Sequence, residues 1–174
     1  MTCPACGVVH YRNAKPCAGA LIMRDGRLLL VRRTIEPWLG HWDIPGGFCD
    51  ADEHPVDAAR REAREEVGLD VEITGMLGIW LDRYPNPADA DEPVVTFNVY
   101  YHAVAVVDAE ARADPAEASD LEWFQPGGLP EPIAFPHHAP AVLAAWREAV
   151  RAGTTVTALP DARKGHEPTP EVGS

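Results

Sequence analysis

Three glutamates, Glu62, Glu65 and Glu66, stand at positions i, i+3 and i+4 of one short segment and follow directly on Arg61. A helix is the regular structure that brings this spacing to one face. The same helix carries Ala59, Ala63 and Val67 on a neighbouring stripe about 100° away, and side chains this small let it pack close to a sheet. Its limits are written locally. Pro55 suits a first turn, where its missing donor would be unpaired anyway, and Asp57 favours the positive end of the helix dipole. Gly68 supplies the stop. The spacing therefore predicts a helix over His54–Val67, with His54 a mediocre cap. Packed close together, such carboxylates repel one another, which raises the pKa of some of them unless a cation intervenes. Hard oxygen donors in that arrangement suit Mg2+ or Mn2+. Gly46 and Gly47, just upstream, let the backbone turn tightly and bring a carbonyl toward the same ion.

Ala18–Met23 and Arg27–Arg32 read as strands joined by the hairpin signal Arg24-Asp25-Gly26. Glu36–Asp50 reads as loop with a short strand, Val71–Leu81 and Val94–Val107 as strands, and Asn86–Glu92 as a polar loop flanked by proline. An acidic loop over Asp108–Ser119, a short strand over Leu121–Phe124 and a helix over His138–Arg151 follow. Strands and helices mix without regular alternation, so the expected fold is α/β, a mixed sheet with helices on its faces. Residues 153–174 lose hydrophobic periodicity and read as a disordered tail. At 174 residues one domain with a real core is expected.

No stretch approaches the ~20 apolar residues of a membrane span, and Met1-Thr2-Cys3-Pro4 lacks a secretory pattern. A cytoplasmic protein with no membrane partner is the expectation. The net charge of −12 argues against a nucleic-acid polymer as partner. A phosphorylated small molecule remains acceptable if divalent ions screen the site.

The segment Gly47–Leu69, GFCDADEHPVDAARREAREEVGL, fits the pattern G-x5-E-x7-R-E-U-x-E-E-x-G-U, where U is apolar. Gly47, Glu53, Arg61, Glu62, Glu65, Glu66 and Gly68 fill its fixed positions, and Ala63 and Leu69 the apolar ones. This resembles the signature of the Nudix hydrolase family. With the Trp42–Gly47 approach and the Leu121–Phe124 strand, the resemblance covers roughly residues 17–152. It implies an α/β/α sandwich and a Mg2+- or Mn2+-dependent hydrolase that cleaves a phosphoanhydride bond. Glu62, Glu65 and Glu66 become metal ligands, with Glu65 or Glu66 alternatively the general base. Arg61 would hold the cluster by ion pairing, and Glu53 would brace the loop–helix junction or reach a metal through water. A further carboxylate outside the segment often contributes in the family. Glu117 and Asp120 are the candidates, although an acidic surface loop is the plainer reading of both. A homodimer is also compatible with the family.

Residues 1–16, CPACGVVHYRNAKP after the first two, look like half of the zinc ribbon that precedes the domain in NADH pyrophosphatase-like members. Cys3 and Cys6 form one C-x-x-C knuckle where a tetrahedral zinc site needs two. His10 and Cys17 would complete a set only at an unusual spacing, so a remnant is the better reading, with zinc at Cys3/Cys6 the minority one. The Ser-Gln-Pro-Trp-Pro-Phe-Pro-like motif of NADH-cleaving members is not found. Phe135-Pro136-His137-His138 either lines a cleft or starts the last helix, the second being favoured. Among Trp38, Trp42, Trp80, Tyr84 and Phe97, the residues Trp42, Tyr84 and Phe97 are the candidate base platforms. ADP-ribose or another nucleotide sugar is the favoured substrate. Two other readings compete. One is a nucleotide sensor without turnover, which the intact glutamates and the lack of a basic helix-turn-helix disfavour. The other is a zinc-mediated interaction module, with Cys3 and Cys6 pairing across chains.

Overall fold

The computed structural model describes residues 2–9, 11, 13–86, 89–106 and 109–153. Among them lie seven strands, β1 (Lys15–Arg24), β2 (Arg27–Arg33), β3 (Trp42–Asp43), β4 (Gly46–Phe48), β5 (Val71–Asn86), β6 (Asp89–Ala105) and β7 (Ala118–Phe124), and two helices, α1 (Pro55–Val67) and α2 (Ala139–Ala152). The expected mixed sheet is present. β1 runs parallel to β6 from Lys15↔Thr96 to Met23↔Val104, while the other pairings named here are antiparallel.

The first hairpin turns through Asp25 and Gly26, with φ of 50° and 73°. Two successive positive values are the mark of a type I′ turn. β1 and β2 pair only beside this turn, at Met23↔Leu28 and Arg24↔Arg27, and then part. Along the stretch where they have parted, β1 pairs with β4 and β2 with β3. The loop that leads into α1 is thereby inserted between two core strands, and Gly46 and Gly47 become part of the sheet.

Both faces of the central strands are buried, with period two. Ala18, Ala20 and Ile22 of β1, Leu29 and Val31 of β2, and Val99, Tyr101 and Ala103 of β6 pack with Ala58, Ala59, Ala63 and Val67 of α1. Leu21, Leu28, Leu30 and Tyr100 face the other way, against Val142, Leu143 and Trp146 of α2. The helices therefore cover opposite faces, which is the α/β/α sandwich. The alanine stripe of α1 is completely buried, so the helix lies close on the sheet and its adjacent glutamate edge is carried to the sheet's margin.

The helix limits follow the local signals. His54 is the N-cap and its Nδ1 accepts from the Val56 N–H at 3.2 Å. Gly68, at φ 67°, closes α1 with its N–H on Arg64 O and the Leu69 N–H on Ala63 O. This is the left-handed glycine stop that the sequence indicates.

One expectation fails. Asn86 and Asp89–Glu92 belong to a long β5–β6 hairpin rather than to a loop, with residues 87–88 outside the described set. Pro85 and Pro93 both sit where the register shifts between Tyr84 and Asn86, so neither removes a donor from the regular ladder. Of the expected tail, Gly153 caps α2 and residues 154–174 lie outside the described residues. No helix among the described residues is long and apolar enough to cross a membrane.

Candidate metal site and substrate cavity

Glu62 and Glu66 are a helical turn apart on α1 and both are 8% exposed. Glu117, from the loop before β7, joins them, and the three carboxylates offer oxygens within 4.8 Å of one another. The loop is fastened to the end of α1 by main-chain bonds, Arg112 N–H to Val67 O and Asp114 N–H to Glu66 O, both 2.9 Å. On its other side Thr34 N–H bonds Glu117 O at 3.0 Å. Glu117 is thus placed by backbone, although its side chain is exposed. Glu117 is an exposed loop residue, as the plainer reading has it, and also a member of this cluster. Asp120 is exposed on β7 and turns its Oδ1 to the Leu121 N–H, away from this cluster.

Burial dominates the electrostatics. Desolvation holds the Glu66 carboxyl well above the usual carboxylate range, and the negative Asp43 adds to it, against one hydrogen bond from the Gly46 N–H at 2.9 Å. Desolvation also raises Glu62, opposed by its bond from Arg61 Nη1 at 2.8 Å. A divalent cation would relieve both shifts. Two buried carboxylates and a third at the rim form a hard-oxygen donor set of the kind Mg2+ and Mn2+ take.

Glu65 stands outside this trio. Its side chain is 55% exposed and is paired with Arg61 Nη1 at 2.9 Å, yet it lines the same cavity. Arg61 is the hub. It donates to both carboxylate oxygens of Glu53 at 2.9 Å, to Glu62, to Glu65 and to Phe48 O. That fork lowers the Glu53 pKa and ties the β4–α1 loop to the helix. Lysine cannot reproduce it. Arg61→Lys is expected to lower turnover about tenfold and cost about 1–2 kcal/mol of stability, read by kinetics and denaturant melts.

A cavity of about 460 Å³ opens from the cluster, and Gly46, Gly47, Arg33, Asp43, Tyr84, Asn98, Tyr100, Phe135 and His138 are among its walls. Asp43 is buried and paired with Arg33 at 3.0 Å, and the Arg33 guanidinium lies over the Phe135 ring, 5.0 Å from its centroid. Phe135 also meets Tyr84 edge-on at 5.4 Å and Trp38 at 6.5 Å. Trp38 and Phe135 both have positive φ, 72° and 52°. Strained backbone of this kind gathers at binding sites.

Of the three aromatic candidates, only Tyr84 is in the cavity wall. Trp42 packs edge-on against Phe124 at 5.0 Å in the α2-side core. Phe97 is 40% exposed. It lies on the side of β6 opposite Thr96 and Asn98, because side chains alternate along a strand. Trp80 backs Tyr100 at 5.9 Å. Phe135 and His138 line the cleft, and His138 also stands at the N-cap position of α2, without a side-chain capping bond, so the segment both lines the cavity and starts the helix. Arg33, Asp43, Asn98 and Tyr100 also line the cavity, and nothing local in the sequence marks them.

At the N-terminus, Thr2 bridges Val9, and Cys3 N–H bonds Val8 O at 2.8 Å. Cys17 lies in the cavity wall on β1, paired with Phe48 and not grouped with Cys3 and Cys6, so that proposed ligand set fails at Cys17. His10 is outside the described residues.

The chain is thus an α/β/α sandwich with a glutamate cluster on a glycine-bounded helix beside a cavity. The NUDIX domain model matches residues 14–145, and the chain belongs to that family. It is 29% identical over 127 residues to the ADP-ribose pyrophosphatase of Methanocaldococcus jannaschii, covering 73% of this chain and 70% of that one. It is 30% identical over 131 residues to the NAD-capped RNA hydrolase NudC of Stutzerimonas stutzeri, covering 75% and 43%. A Bacillus subtilis relative, 34% identical over 104 residues, is matched over 61% of its length, so the chain spans only part of several of these proteins. Among solved structures, the MutT NUDIX hydrolase of Burkholderia pseudomallei superposes with a TM-score of 0.61 at 29% identity, covering 77% of this chain and 98% of that one.

Proposed function

We propose that the protein is a pyrophosphohydrolase that cleaves the phosphoanhydride bond of a nucleoside diphosphate linked to a second moiety, with ADP-ribose or a nucleotide sugar favoured. One observation carries this reading. Glu62, Glu66 and Glu117 converge within 4.8 Å in a cavity that also offers Arg33, Tyr84 and Phe135. The acidic cluster suits a cation on a diphosphate, and the ring-and-guanidinium wall suits a nucleoside.

Glu62, Glu66 and Glu117 would hold Mg2+ or Mn2+, with Glu65 and the backbone of Gly46 or Gly47 as further ligands. A cation held there supplies neutralisation of the bridging phosphates and acidification of the attacking water. The chain's own groups do the rest. Arg61 fixes Glu62 and Glu65 in position and ties them to Glu53. Glu65, open to solvent, and Glu66, buried, are the two candidates for the base that takes the proton of the attacking water. Arg33, already charge-paired with Asp43, presents a flat cationic face beside Tyr84 for a base to stack on.

The test is product analysis by chromatography. ADP-ribose, other nucleoside diphosphate sugars, dinucleotides and nucleoside triphosphates are incubated with Mg2+ or Mn2+ and with chelator. Release of a nucleoside monophosphate from a diphosphate-linked compound, abolished by chelator, is the expected result. Silence across the panel with folded, metal-supplied protein would overturn the reading and leave a binding domain without turnover.

A further inference from the structure

β6 turns Thr96, Asn98 and Tyr100 to one side, and all three line the cavity. Asn98 is 7% exposed, and its Nδ2 donates to Trp80 O at 3.2 Å and to Thr96 Oγ1 at 2.9 Å. Because Trp80 O can only accept, the side-chain nitrogen must be the atom that faces it, and the amide orientation is fixed. Both N–H groups of the amide are thereby spent inside the protein. Its Oδ1 receives no hydrogen bond among the described residues, and it is not sealed off as an orphan buried atom. A carbonyl in a mostly buried wall with no protein donor is a group left for a ligand.

Its surroundings are buried and closely packed. Tyr100 Oη lies 2.8 Å from His138 Nε2, and His138 Nδ1 lies 2.9 Å from Asp82 Oδ2, a chain buried throughout. Tyr100 packs so closely on Gly19 that a Cβ there would come within 2.6 Å of the ring. Asn98 pairs across the sheet with Cys17, and Cys17 with Phe48, next to the Gly47 that touches Glu62. Two strand spacings put the carbonyl roughly 10 Å from β4, the reach of a nucleoside whose phosphates sit at the glutamates.

We propose that Asn98 determines specificity by accepting a hydrogen bond, through Oδ1, from an uncharged N–H or O–H donor on the nucleoside part of the substrate. This rests on the reading above that the cavity takes a nucleoside diphosphate. The donor is an exocyclic base amine or a ribose hydroxyl, and a carbonyl at the same place is rejected because two acceptors then face each other.

The test uses ADP-ribose, its 6-oxo (inosine) analogue and its 2′- and 3′-deoxyadenosine analogues. Binding is followed by calorimetry with Mg2+, and turnover is followed separately. Against wild-type protein, one of the three analogues is expected to bind at least about tenfold more weakly than ADP-ribose, the loss for one unmet donor–acceptor pair. Which analogue loses tells amine from hydroxyl. In Asn98→Leu, with its melting temperature checked, ADP-ribose is expected to weaken to the level of that analogue and the discrimination to fall below about threefold. All analogues within threefold on the wild type, or undiminished discrimination in Asn98→Leu, would overturn the proposal whatever the turnover. Discrimination without turnover would uphold it and remove hydrolysis. No binding of any of the four would overturn the proposal for an adenosine substrate and strike ADP-ribose from the reading above.

Discussion

Glu66→Gln is expected to lower hydrolysis about a thousandfold while leaving the metal-free protein at least as stable as the wild type, a magnitude in line with loss of a group that acts on the reacting phosphate. The two halves of that result have one cause. The Glu66 carboxyl is 8% exposed and its donor among the described residues is the Gly46 N–H. Its folded pKa lies well above the usual 4.5, through desolvation first and Asp43 second. A carboxyl raised on folding stabilises the fold while protonated, and that contribution falls as pH rises from about 4.5 through the folded value. At neutral pH the metal-free wild type therefore carries a penalty that glutamine, which still accepts from Gly46, does not. Its melting temperature relative to the wild type should rise as pH is raised. Added Mg2+ should stabilise the wild type by mass action and the variant much less. Thermal melts with chelator and with Mg2+ across pH, beside steady-state kinetics, check this. A variant that melts lower without metal, or turns over normally, would contradict it.

Gly47→Ala is expected to abolish at least about 99% of activity while the protein stays folded, an effect that acts through one displaced carboxylate. A Cβ at Gly47 would lie 2.5 Å from Glu62 Oε1, 2.7 Å from its Cδ and 2.9 Å from Oε2. All three nearest atoms belong to that one side chain, so the side chain yields and the sheet does not. Glu62 is held by Arg61 on one side and buried on the other, and moving it takes it from Glu66 and Glu117. Gly46→Ala is the contrast. There the Cβ would meet Ala18 O at 2.5 Å and Gly19 Cα at 2.6 Å, both backbone, so β4 itself must part from β1. Gly46→Ala should lose several degrees of melting temperature, whereas Gly47→Ala should lose about 1 kcal/mol or less. Circular dichroism melts with kinetics separate the two. Near-normal turnover in folded Gly47→Ala would show that the placement of Glu62 is not what the reaction needs.

What could be read in the sequence was what is decided locally. Pro55, the alanine stripe and Gly68 determine α1 over a few turns, and the apolar runs Ala18–Met23 and Arg27–Arg32 about Arg24-Asp25-Gly26 determine a hairpin whose two faces are both buried. Glu117 was only a candidate, because it lies far along the chain from Glu66 and is brought back by main-chain bonds between a loop and a helix end. No composition signal records such a bond. Phe97 offers a ring, but side chains alternate along β6, and the face toward the cavity belongs to Thr96, Asn98 and Tyr100. That parity is fixed by pairing with β1 and β5, which a single strand does not reveal. Trp42 followed the same logic and went to the core against Phe124. The β5–β6 hairpin was hidden by prolines that a register shift accommodates.

The central claim is that Glu62, Glu66 and Glu117 together hold a divalent cation. The measurement that addresses it most directly is a Mn2+ titration followed by electron paramagnetic resonance, on the wild type and on Glu62→Gln, Glu66→Gln, Glu117→Gln and Asp120→Asn. Saturable binding to the wild type, weakened about tenfold or more by each glutamine and unchanged by Asp120→Asn, is the expected result, since each removes one charged ligand from the set. No saturable binding to the wild type, or binding indifferent to all three glutamines, would contradict the claim.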